Sequence, residues 1–146
     1  MHLLSETAVW STSSEFVMND GMITKATGKS CIEISGDVIL NNSWVKYGDI
    51  LRENNYRITV ITPFEYQFES LNPALGVQHG IFSIDRNVIY SKFRIENTEM
   101  TGFEIIIRNG KECNTFGALY EKEKLINTWK AFMKKNNQRF ADQAGI

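Results

Sequence analysis

The sequence predicts a mainly β protein, an antiparallel meander closing into a barrel of eight to ten strands with one C-terminal amphipathic helix. Three observations carry that expectation. From Glu6 to about Tyr120 the chain is a series of short runs in which apolar and polar residues alternate, most clearly Phe64-Glu65-Tyr66-Gln67-Phe68-Glu69. Period two marks a strand with one buried and one wet face. Turn signals punctuate these runs, among them Asn19-Asp20-Gly21, Ser35-Gly36-Asp37, Asn72-Pro73, Asp85-Arg86 and Asn109-Gly110. Beyond Tyr120 the period changes: Leu125, Ile126, Trp129, Phe132 and Met133 fall at i, i+1, i+4, i+7 and i+8, a helical stripe over 121–137.

Taken in order, the strand-like segments are 7–17, 22–27, 30–35, 37–46, 55–62, 64–69, 77–84, 87–95, 101–108 and 111–119. Residues 48–54 read equally as a helical turn or a loop, and Pro63 as a bend within a strand or a break between two. The helix carries Lys122, Lys124, Lys130, Lys134 and Lys135 on its polar side. A basic amphipathic helix can serve a membrane or a partner, but beside a sheet that needs a cover its apolar stripe is expected to pack inward.

The chain has 146 residues, 42% hydrophobic and 23% charged, with 2 Pro, 2 Cys and 10 Gly. Collagen, low-complexity disorder and disulfide-stapled miniproteins are excluded on composition. One domain is expected over 1–138, with 139–146 as a flexible tail. The net charge of -1 supplies no whole-chain field, so neither nucleic acid nor membrane is an expected partner, while a homodimer remains open. Met1-His2-Leu3-Leu4-Ser5-Glu6 lacks a basic secretory start, and the expected location is the cytoplasm. Cys31 and Cys113 are far apart without a CxxC partner and read as reduced packing thiols.

An N-terminal strand bearing Trp10, a long antiparallel run and a C-terminal amphipathic helix resemble the calycin superfamily of lipocalin-like and fatty-acid-binding-protein-like barrels. Ala8 stands where the family's Gly-x-Trp signature has glycine. The resemblance implies a closed barrel with an interior cavity for a small, mostly apolar ligand. Helix-grip folds are similar to a lesser degree, since residues 18–21 are too short for the helices that fold places between its first strands.

Hairpin registers assign faces. A two-residue Asn109-Gly110 turn pairs Phe103 with Phe116 and Ile105 with Asn114, and closure of the preceding hairpin by Glu96 to Met100 pairs Phe93 with Phe103 and Lys92 with Glu104. Phe93, Phe103 and Phe116 then form one inner row, and Lys92, Arg94, Glu104 and Arg108 lie outside. With Asp85-Arg86 as a turn, Gln78 pairs with Phe93, and Gly80, Ser91, Ile105 and Asn114 form a second, polar row. Elsewhere the expected inner residues are Trp10, Phe16, Ile32, Ile34, Val38, Leu40, Trp44, Tyr56, Ile58, Val60, Phe64, Tyr66 and Phe68. No Asp, Lys or Arg is among them, which favours a neutral ligand.

The expected function is binding of a small, mostly apolar, neutral molecule in the barrel. The expected ligand-binding residues are Trp10, Trp44, Tyr66, Gln78, Ser91, Phe93, Phe103, Asn114 and Phe116. No catalytic residue, metal site or cofactor is assigned. His79, the only histidine beyond the N-terminus, turns outward in this register, which leaves a haem without an inner ligand, whereas a one-residue change in the Asp85-Arg86 turn would turn it inward and supply one. Two alternatives stand. One is a small-molecule enzyme of isomerase or lyase type, with Tyr66, Tyr120 or Glu112 as first candidates; the other is an interaction protein whose aromatics simply fill the core.

Overall fold

The computed structural model describes residues 1–137; the expected tail, 139–146, lies outside the described residues. A short 3-10 turn, Leu3–Ser5, precedes ten strands: β1 Ala8–Met18, β2 Ile23–Ser35, β3 Val38–Tyr47, β4 Ile50–Thr62, β5 Glu65–Asn72, β6 Gly76–Asp85, β7 Val88–Ile95, β8 Met100–Asn109, β9 Glu112–Glu121 and β10 Lys124–Lys135. They form a closed antiparallel barrel in which each strand pairs with its chain neighbour and β10 closes on β1. Residues 50–54, open between helix and loop in the sequence, begin β4, and Pro63 lies between β4 and β5.

The expected C-terminal helix over 121–137 is instead strand β10. A nine-strand meander leaves β1 and β9 as open edges, each with a row of unpaired backbone groups. As a strand, residues 124–135 satisfy both rows, pairing Phe16 with Trp129 on one side and Trp129 with Gly117 on the other. A helix would have covered a face and left both edges bare. The apparent helical stripe mixes the two faces of a strand, since Phe132 lies outside next to inward Met133, and a bulge where the register shifts between Leu125 and Asn127 adds the adjacent pair Leu125 and Ile126. Thereafter Trp129, Ala131 and Met133 point inward, while Lys130, Phe132 and Lys134 point out.

Turn lengths set the faces, because a slip of one residue turns every side chain of a strand over. The 35–37 segment closes as a two-residue turn, Gly36 at φ +59° with Ser35 opposite Val38. Hence Ile39 is buried, Asn41, Ser43 and Val45 share its face, and Val38, Leu40 and Trp44 turn outward, Leu40 and Trp44 remaining exposed. Phe64 lies in the β4–β5 turn and is also exposed. The β6–β7 turn is Arg86-Asn87, so Gly80 faces Phe93 and Phe82 faces Ser91. That shift is by two residues, and the expected faces of β6 and β7 stand.

The β7–β8 loop is decisive. Four residues, 96–99, join Ile95 to Met100, so Ser91 lies opposite Glu104 and Phe93 opposite Gly102. Thr98 fastens this length, its hydroxyl donating to Ile95 O at 2.8 Å and accepting from Met100 N at 3.0 Å. Strand β8 therefore presents Gly102, Glu104, Ile106 and Arg108 inward, and β9 follows, with Ile105 opposite Phe116. Phe103, Asn114 and Phe116, expected on the inner wall, are on the outer one, where Phe103 and Phe116 are 40% and 47% exposed. Lys92 faces Phe103 rather than Glu104.

Packing explains why this phase wins. Three interior aromatics lie directly opposite glycines: Phe68 on Gly80, Phe93 on Gly102 and Trp129 on Gly117. In each case a Cβ on the glycine would collide with the ring. Glycine thus lets a large ring lie flat along the wall of a tightly curved barrel.

Candidate ligand cavity

One end of the barrel is plugged by the N-terminal segment. Leu3 and Leu4 are buried beneath Trp10, whose exposure is 0%. Arg108 holds the plug: Nη2 donates to Glu6 Oε1 at 2.7 Å, Nη1 to His2 O at 3.1 Å and Nε to Gly110 O at 2.8 Å, with the guanidinium over the Trp10 ring. Lys135 Nζ also reaches Glu6 at 2.8 Å, and the Lys135 and Arg108 bonds together hold the Glu6 carboxyl below its usual range against burial. His2 Nδ1 accepts from Leu4 N, so in the neutral ring Nε2 carries the proton and donates to Tyr66 Oη at 3.4 Å. Burial foremost, helped by the α-amino group and Arg108, lowers the His2 pKa to about 4.

Above this floor lie two adjoining cavities of about 250 and 160 Å³. The larger reaches toward the opposite end, bordered by Phe16, Asn127, Asn72 and Leu75; the smaller lies over Leu3 and Leu4. Both are bordered by Ser43, Tyr56, Phe82, Glu104 and Trp129, which form a waist between them. Glu104 Oε2 accepts from Trp129 Nε1 at 2.6 Å, and no ion pair reaches the carboxyl among the described residues. Burial raises its pKa to about 7, an effect the Trp129 bond only partly offsets. Tyr56 Oη accepts from Asn54 Nδ2 at 3.0 Å, and burial foremost pushes its hydroxyl pKa upward. Asn54 Oδ1, beside the larger cavity, and Asn41 Oδ1 and Thr12 Oγ1, beside the smaller, are buried acceptors without a partner among the described residues. Such groups are costly unless an occupant or water bonds to them.

Of the residues expected to bind ligand, Gln78, Ser91 and Phe93 border the larger cavity from the inner face, whereas Trp44 borders it from strand β3 with its side chain turned outward and 36% exposed. Trp10 and Tyr66 are interior but belong to the plug. The outer-wall positions of Phe103, Asn114 and Phe116 remove them from the site. Of the catalytic candidates, Glu112 is exposed, Tyr120 stacks on Phe103, and Tyr66 bonds to His2. His79 points outward, with Nε2 3.0 Å from Glu96 Oε2. Among the described residues no group of three His, Cys, Asp or Glu side chains could hold a metal. Sequence reasoning missed Glu104, Asn54 and Trp129. A signal for the first was present, since the mid-strand glycine Gly102 marks an inner position two residues before Glu104.

These features define a class: a closed ten-stranded antiparallel barrel, plugged at one end and hollow at its centre. The crystal structure of Rv2717c from M. tuberculosis has a similar fold, with a TM-score of 0.75 and 10% identity, covering 90% of this chain and 92% of that one. At that identity the likeness concerns the fold alone. No family model matches the chain, and no curated protein matches its sequence.

Proposed function

We propose that this protein binds a small, mostly apolar molecule in the barrel interior, as a calycin-like carrier would. The observation that carries this reading is the pair of adjoining cavities with buried acceptors on Asn54, Asn41 and Thr12 that have no partner among the described residues. A filled core would have left neither. Size limits the occupant: an apolar cavity of roughly 150 Å³ accepts benzene, so cavities of about 250 and 160 Å³ suit one or two small rings. The interior carboxyl of Glu104 replaces the expectation of a wholly uncharged wall, so the ligand needs a group that can meet it.

Calorimetric titration with indole, a neutral ring of suitable size, tests the reading. Phe93→Ala and Asn54→Leu are expected to change the affinity several-fold, and the outer-wall control Phe103→Ala to leave it unchanged. Equal loss in the control, or no binding at all, would exclude interior binding. One observation favours a second reading, acid–base catalysis on a bound small molecule: Glu104, with a pKa near 7 in a cavity, could take and return a proton at neutral pH.

A further inference from the structure

Resting on the cavity-binding reading, we propose that the preferred occupant is a small organic cation, a primary amine carried on one ring, with Glu104 as its anionic anchor. The position of the carboxyl points to this. Glu104 sits at the waist and borders both cavities, so an occupant of either half meets it. Trp129 Nε1 is the sole hydrogen-bond donor to the carboxyl among the described residues. The cationic side chains of the floor, Arg108 and Lys135, are engaged by Glu6. Around Glu104 the waist offers the rings of Tyr56, Phe82 and Trp129, and aromatic faces attract cations as well as apolar rings. An ammonium would complete the carboxylate's hydrogen bonding at a partly buried site, where charge-assisted bonds gain over those in open water.

The proton balance gives the proposal a distinctive signature. In the empty barrel below neutrality Glu104 is mostly a carboxylic acid, because burial raises its pKa to about 7. When an ammonium enters, the acid O–H bond breaks, the proton passes to solvent, and the carboxylate so formed accepts the N–H of the ligand. The other groups facing the cavities are Tyr56, whose pKa is shifted upward, Arg52 and Glu53 at the edge of the larger cavity, and Lys29 at the edge of the smaller. Tyr56 stays protonated throughout the neutral range, and the Glu104→Gln variant assigns the displaced proton to Glu104.

The experiment is isothermal titration calorimetry of the whole protein with 2-phenylethylamine, 2-phenylethanol and phenylacetate, which share a ring and differ in head-group charge. At pH 7.5 the amine is expected to bind at least tenfold tighter than the alcohol, with phenylacetate weakest. Below pH 7 the amine affinity should fall by about tenfold per pH unit, with about 0.9 proton released per amine bound at pH 6 in buffers of differing ionisation heat. Glu104→Gln should abolish both the preference for the amine over the alcohol and the pH slope. Alcohol binding equal to or tighter than amine binding, or the absence of proton release, would overturn the proposal. If indole still binds in that case, the cavity reading survives; if neither indole nor any of the three compounds binds, both fall. Should Glu104→Gln fail to fold, the wild-type pH slope and proton count decide alone.

Discussion

At the scale of single residues, the interior ionisable groups should pull stability in opposite directions with pH. Glu104 has a folded pKa raised to about 7, so its neutral form favours the fold. That contribution is complete below the ordinary carboxylate pKa and is lost as pH rises through about 7. Urea denaturation at pH 5 and pH 8 should therefore show Glu104→Gln gaining on the wild type at the higher pH; a constant difference would mean that the carboxyl is solvated. His2 behaves in the reverse sense. Its folded pKa is lowered from 6.5 to about 4, so its contribution is present above 6.5 and lost as pH falls toward 4. The depressed Glu6 carboxyl adds to the loss at still lower pH. The expected outcome is acid loosening of the plug between pH 6.5 and 4, absent in His2→Asn and read by protease cleavage near the N-terminus. Glu6→Gln should cost about 3 kcal/mol, since it leaves the buried Arg108 guanidinium with carbonyl partners only.

Among the elements, β10 and the glycine positions make the sharpest predictions. If 124–135 is a strand, Phe132 projects outward and Met133 inward, whereas a helical stripe would bury both. Phe132→Glu should change stability by less than about 1 kcal/mol, while Met133→Glu should prevent folding or cost more than about 4 kcal/mol, as measured by chemical denaturation. Comparable losses in the two variants would restore the helix. Gly102→Ala should cost about 1–3 kcal/mol by driving a methyl against the Phe93 ring, and Gly117→Ala should do the same against Trp129. The alternating runs were legible because period two is local. The last element reads as a helix because apolar Phe132 on its outer face and the bulge at Leu125/Asn127 together imitate a helical period, and its reason for being extended lies in β1 and β9.

For the molecule as a whole, indole at saturating concentration should raise the unfolding temperature, and a change confined to the Phe93→Ala and Asn54→Leu variants would place the stabilisation inside the barrel. Legible in the sequence were the β class, the antiparallel meander, nine of its strands, with β2 read as two segments, 22–27 and 30–35, where the structure has one, and the inner faces of β1, β2, β4, β5, β6 and β7. Each of these follows from neighbours a few residues apart, through alternation and turn chemistry. The faces of β3, β8 and β9 turned on loop lengths one residue different from those expected, the strand state of β10 on closure of the barrel, and the site on both. A loop of four rather than five residues costs little locally, yet it moves Glu104 and Arg108 from solvent to interior and Phe103 and Phe116 the other way. Within β8 only Gly102 marks the inner face, and burying a glutamate rather than a phenylalanine runs against the transfer cost of its carboxyl. The choice is made by groups far along the chain, Trp129 beside Gly117 and Glu104, and Glu6 under Arg108, which meet only when the barrel closes.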